Sequence, residues 1–140
     1  MNKTERSAQD VLQDTATLSL LICAIHENQR PLKGVAGELD WRLGGFLSRF
    51  VIAGRISGAK SEFTYIPISR NKALRHLLLV GLGTIENAET ETGDKILKTL
   101  AKTVHDLKFS KIAISRSSFP SFADTNIKKA FKGIDVEFIQ

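Results

Sequence analysis

The chain has 140 residues and a mass of 15.5 kDa, the size of one ordinary domain, which excludes a catalytic domain with a separate regulatory one. Hydrophobic residues make up 42% and charged residues 25%, so neither a disordered nor a collagen-like chain is expected. The net charge is +5, and the single cysteine, Cys23, excludes an intramolecular disulfide and a cysteine-based zinc site.

Met1 to Asp14 is polar and mixed in charge, without the features of a signal peptide, and reads as a lead-in that could form a short helix. Thr15 to Ile25 is rich in Leu, Ile and Thr and predicts a buried strand. A polar loop follows, and Pro31 marks the break because proline cannot continue a central strand. No apolar run reaches the roughly 18–20 residues that cross a bilayer. The expectation is a cytoplasmic protein without a membrane association, folded as one domain over residues 1–140.

From Val35 to Val51 the apolar residues recur at helical spacing: Val35, Leu39, Leu43, Phe46, Leu47, Phe50 and Val51 fall on one face. The spacing predicts one helix, interrupted at Gly44 and Gly45 by a kink or a close approach and ended by Gly54. Trp41 lies off that stripe, where it packs under a loop or anchors a partner. Phe63 to Ile68 predicts a strand at a sheet edge, because of Pro67, and Asn71 and Lys72 predict a turn. The run His76 to Val80 is a strand covered on both faces, closing in Gly81-Leu82-Gly83-Thr84.

Thr92 to Leu107 predicts the clearest helix, with Thr92 as cap and Ile96, Leu97, Leu100, Val104 and Leu107 as its buried stripe. Lys111 to Ser115 is a strand and Ser121 to Phe131 a helix, broken by Gly133. Ile134 to Ile139 alternates as a last strand. Strands alternating with helices imply an α/β fold: a mixed, mostly parallel sheet with helices on both faces, hence three layers.

The charge is uneven. Residues 28–75 hold nine basic and three acidic residues, Arg42, Arg49, Arg55 and Lys60 among them. The leading reading is a solvated surface; a polyanion-binding or partner-binding surface is the alternative. His26, His76 and His105 have no metal-ligand spacing and read as structural or surface residues. Cys23 reads as a small buried hydrophobe. Gly81, Gly83 and Thr84 form a glycine-rich turn after a buried strand, where amides can meet a phosphate. The dinucleotide pattern and P-loop lysine are absent, and Glu86, Glu89 and Glu91 would repel an anion, so a tight turn is the preferred meaning. Ser115, Arg116 and Ser117, with Ser118, lie just past a strand end, where ligands often sit in α/β sheets.

One resemblance joins these segments. In order and spacing, Pro31-Leu32-Lys33-Gly34, Leu39-Asp40, Leu43-Gly44-Gly45, Gly58-Ala59-Lys60, Ile66-Pro67-Ile68 and Leu77 to Gly83 resemble the amino-terminal domain of the leucyl aminopeptidase (cytosol aminopeptidase) family. The resemblance covers roughly residues 15–116 and implies a macro-domain-like fold. It further implies that the two-metal peptidase site belongs to a carboxyl-terminal catalytic domain, whose motif Asn-Thr-Asp-Ala-Glu-Gly-Arg does not occur here. No catalytic residue, cofactor or metal ligand is therefore expected. The expected role is that of a non-catalytic interaction or regulatory module, associating with itself or with a full-length aminopeptidase. The alternatives are binding of a nucleotide or ADP-ribose-like molecule and, as some family members bind DNA, nucleic-acid binding through residues 28–75.

Overall fold

A computed structural model describes residues 20–70, 73–84, 93–119 and 122–139. Its elements run β1 (Leu20–Ile25), α1 (Gly34–Arg42), α2 (Phe46–Ile52), β2 (Phe63–Arg70), β3 (Ala73–Gly81), α3 (Gly93–Asp106), β4 (Lys111–Ser115), α4 (Asp124–Ala130) and β5 (Asp135–Ile139). The five strands form one sheet in the order β2-β3-β1-β4-β5. β1 pairs in parallel with β3 and β4, and β4 pairs in parallel with β5; only the β2–β3 hairpin is antiparallel. This is the mixed, mostly parallel sheet that the element order predicts.

The continuous apolar runs of β1 and β3 follow from helices on both faces of the sheet. Leu21, Cys23 and Ile25 point toward α1 and α2, together with Leu77 and Leu79 of β3. Leu20 and Ile22 point the other way, toward α3 and α4, with Leu78 and Val80. Two apolar layers therefore lie on either side of the sheet, giving a three-layer α/β/α fold. The predicted stripe of α3 is confirmed: Ile96, Leu97, Leu100 and Val104 are buried, and Leu107 packs against them. Pro67 stands on β2, an edge strand, as its missing N–H requires.

The single helix expected over Val35 to Val51 is corrected to two. Gly44 and Gly45 take left-handed backbone angles, φ 66° and 82°, which a helix interior does not accommodate, and the chain turns between α1 and α2. The turn is fastened from within α1. The Asp40 carbonyl accepts the Gly45 amide at 2.8 Å, and the Asp40 carboxylate accepts the Ser48 amide at 2.8 Å and the Ser48 hydroxyl. Asp40 thus caps the first turn of α2 in place of a side chain at its own amino-terminal cap. The break also resets the apolar face: Leu47 is fully buried, whereas Phe46, Phe50 and Val51 are only partly covered.

The lead-in at residues 1–14, the start of the first predicted strand, the Asn71–Lys72 turn and the Thr92 cap lie outside the described residues. No helix among the described residues is long and apolar enough to cross a membrane.

Candidate functional site

In a parallel sheet the loops leaving the carboxyl ends of the strands form the natural ligand crevice. Here the exit of β1, the exit of β3 and the turn at residues 57–62 are bound to one another by backbone. The Leu82 amide donates to the Ile25 carbonyl at 3.1 Å, the Glu27 amide to Gly83 at 2.9 Å and the Ser61 amide to Gly81 at 3.0 Å. The Gly81 amide donates to the Glu62 carbonyl at 2.7 Å, and the Gly83 amide to Gly58 at 2.9 Å. The amides of Gly81, Leu82 and Gly83 are therefore engaged inside the protein and offer no cradle to a phosphate. Thr84, half-buried, follows them, and Glu86, Glu89 and Glu91 lie outside the described residues.

Two charged side chains fasten this knot. The Arg30 guanidinium donates to the carbonyls of His26, Gln29 and Ser57, each at 2.9 Å. The Glu62 carboxylate accepts the amides of Ser57 and Gly58 at 3.0 and 2.9 Å and the Ser57 hydroxyl at 2.8 Å. Burial pushes the Glu62 pKa up. The hydrogen bonds from Gly58 and Ser57 and the nearby Arg30 charge outweigh it and hold the group below its ordinary value of 4.5. A carboxylate with a depressed folded-state pKa contributes stability that is present above its unfolded pKa and lost as pH falls through the folded value. Glu62→Gln is expected to reduce the acid dependence of stability below about pH 4.5, and Glu62→Ala to cost about 1–3 kcal/mol by stranding the two amides. Urea titrations across pH measure both effects, and an unchanged acid limb in the Gln variant would contradict the assignment.

On the far side of β1, the β4 exit is a compact serine turn. Ser115 is fully buried; its hydroxyl oxygen accepts the Ser118 hydroxyl at 2.9 Å and the Ser118 amide at 3.3 Å, and it lies 3.3 Å from the Ser117 hydroxyl. Arg116 turns toward α4, pairing with Asp124 at 3.0 Å and lying 5.0 Å over the Phe138 ring. The structure thus places the two candidate ligand loops at the same end of the sheet, on the two strands that flank β1.

It does bring together three of the four basic candidates. Arg42, at the end of α1, lies 5.1 Å over the Trp41 ring, and Arg49 of α2 donates to the Gly44 carbonyl at 2.9 Å. Phe46 stands between two shallow cavities. One, of about 230 Å³, is lined by Phe46, Arg49, Phe50, Ala53 and Arg55. The other, of about 310 Å³, is lined by Arg42, Leu43, Phe46, Ile68 and Ser69. Trp41 and Ile52 are 74% and 84% exposed, a large apolar surface for two residues on adjoining helices. Lys60 sits elsewhere, against Gly83. The sequence pattern set Phe46 and Phe50 on a buried stripe, where they are only half-buried, and did not single out the exposed Ile52. The glycine pair that breaks the helix was the signal that could have exposed them.

The remaining candidates are structural. The Tyr65 hydroxyl lies 2.6 Å from His76 Nδ1, and His76 packs edge-on against Phe109 with ring centroids 4.9 Å apart. Burial, then the Arg75 charge, lowers the His76 pKa. His26 Nδ1 lies 3.3 Å from the Gly83 carbonyl, and His105 is exposed on α3. Among the described residues no group of three or more His, Cys, Asp or Glu could hold a metal ion. Cys23 is fully buried, and burial pushes its thiol up to about 12, the opposite of an activated nucleophile. Native protein at pH 8 is expected to resist a thiol reagent such as Ellman's until denatured; prompt native labelling would contradict the buried placement.

Comparison with known proteins adds to this geometry. The sequence pattern of the cytosol aminopeptidase family, N-terminal domain, matches residues 22–134. A curated relative, a probable cytosol aminopeptidase of Cyanothece sp., is 24% identical over 121 residues, which are 86% of this chain and 24% of the relative. The chain thus spans about a quarter of that relative's length. The macrodomain of Thermus aquaticus DarG is similar with a TM-score of 0.68 at 14% identity, over 98% of this chain and 95% of that one. The macrodomain of Mycobacterium tuberculosis DarG gives 0.65 at 14% identity, over 97% and 95%. A mutant of tomato leucine aminopeptidase gives 0.61 at 17% identity, over all of this chain and 34% of that one. At these identities the structural likenesses speak to the fold, which is macro-like as the resemblance implies.

Proposed function

Because the chain belongs to the family of cytosol aminopeptidase N-terminal domains, we propose that it works as a non-catalytic protein-interaction or regulatory module, associating with itself or with an aminopeptidase. The observation that carries the reading is the α1–α2 face. It exposes Trp41 and Ile52 beside three arginines, while the crevice loops at β1 and β3 are closed on each other by their own backbone. Exposed tryptophan and arginine are the residue types that concentrate binding energy in protein interfaces.

The non-catalytic half of the proposal is tested with the purified chain, leucine p-nitroanilide and added Mn²⁺ or Zn²⁺. Hydrolysis no faster than the metal alone is the expected result, and turnover above it would overturn the reading. The macro-like fold favours a second reading, a nucleotide or ADP-ribose-like ligand at the carboxyl ends of the strands. Thermal-shift measurement with ADP-ribose separates the two: a saturable rise in melting temperature favours the ligand reading, and no shift favours the interaction module.

A further inference from the structure

We infer that the α1–α2 face is the docking site for an acidic segment of a partner protein, with carboxylates on the arginines and apolar side chains in the two cavities beside Phe46. The inference rests on the interaction-module reading and names its surface and the chemistry of its partner.

Charge is the first argument. Arg42, Arg49 and Arg55 line the two cavities, and among the described residues no carboxylate lines either one. Among the described residues none of the three arginines is ion-paired. Asp40, the carboxylate nearest to Arg42 and Arg49 in sequence, is held by Ser48 at the α2 cap, and Glu62, the nearest to Arg55, is held by Ser57 and Gly58. The face therefore presents uncompensated positive charge around apolar floors formed by Leu43, Phe46, Phe50 and Ile68. Two of the guanidinium groups are held in place, Arg42 on the Trp41 ring and Arg49 on the Gly44 carbonyl, which lowers the ordering cost of binding. Planar guanidinium groups match carboxylates as paired forks.

The same observations argue against other occupants. Nucleic acid bound by stacking needs open aromatic faces. Here Arg42 covers one face of Trp41, and Phe46 and Phe50 meet edge to face at 82° while half-buried, so no run of open rings is presented. A second copy docked through the same face about a two-fold axis would set arginines against arginines. A segment bearing Asp and Glu between Leu or Phe residues meets both features of the surface.

Trp41 is the only tryptophan, so its emission reports on this face alone. The probe is a fluorescein-labelled synthetic peptide, Glu-Asp-Leu-Phe-Glu-Glu-Leu-Leu-Asp-Glu, with a polyglutamate peptide of equal length and single-stranded oligothymidylate as comparisons. Expected are a blue shift of Trp41 emission, saturable anisotropy that weakens with salt, and weaker binding of polyglutamate. Arg55→Glu alone, whose guanidinium makes no hydrogen bond among the described residues, should weaken the peptide by roughly tenfold at an unchanged melting temperature. The double variant R42E/R55E should weaken it further, and Lys60→Glu should leave it unchanged. No Trp41 shift, equal affinity in the arginine variants, or oligothymidylate binding as tightly as the peptide would overturn the inference. If the chain forms a protein complex that R42E/R55E leaves intact, this site fails while the module reading stands. If the peptide binds through the arginines but no protein complex forms, the module reading fails and the site stands.

Discussion

Gly81→Ala is expected to lower the free energy of unfolding by about 3 kcal/mol, at the top of the usual range for forced overpacking. The residue ends β3, and its place is set by contact. A Cβ there would lie 2.1 Å from the Ala59 carbonyl oxygen and 2.8 Å from the Gly58 carbonyl carbon. Both are backbone atoms, so no side chain can rotate away. Relief requires the β3 exit and the 57–62 turn to separate, which stretches the Gly81 to Glu62 and Ser61 to Gly81 hydrogen bonds. Chemical denaturation measures the loss. A fall of less than about 1 kcal/mol would mean that the knot yields easily and is no rigid closure.

Leu39→Ala is expected to cost about 3 kcal/mol, within the range for a leucine cut out of a packed core. Leu39 is fully buried in the layer beneath α1, next to Val35, Ala36 and Leu47. Two positions along the same helix, Trp41 is mostly exposed, and Trp41→Ala should alter stability by no more than about 0.5 kcal/mol. The pair separates scaffold from surface. If Trp41→Ala destabilised the fold as much as Leu39→Ala, Trp41 would be a packing residue and the proposed binding face would lose its anchor.

Much of the scaffold was legible because period and burial agree. The unbroken apolar runs of β1 and β3 announce strands covered on both faces, Pro67 announces an edge, and the spacing of Ile96, Leu97, Leu100 and Val104 announces α3. The α1–α2 pair was not legible as two helices. Its apolar residues keep helical spacing through the glycines, and the left-handed angles at Gly44 and Gly45 make the interruption there a full turn. The same turn explains why the proposed binding face was legible only as separate residues. Trp41, Arg42, Arg49 and Arg55 stand out by type, but their meeting around Phe46 depends on how α2 folds back after Gly45. At Gly81 and Gly83 the sequence left a tight turn and a phosphate cradle as rival meanings. The internal hydrogen bonds of the Gly81, Leu82 and Gly83 amides favour the turn, and those bonds are a tertiary property.

Association of this chain with itself or with an aminopeptidase would show directly as molecular mass in solution. Light scattering on the purified chain, alone and mixed with the cytosol aminopeptidase of the same organism, should give a defined species heavier than the 15.5 kDa monomer in at least one of the two. A monomer in both, across the concentrations at which the peptide titration is run, would contradict the interaction module.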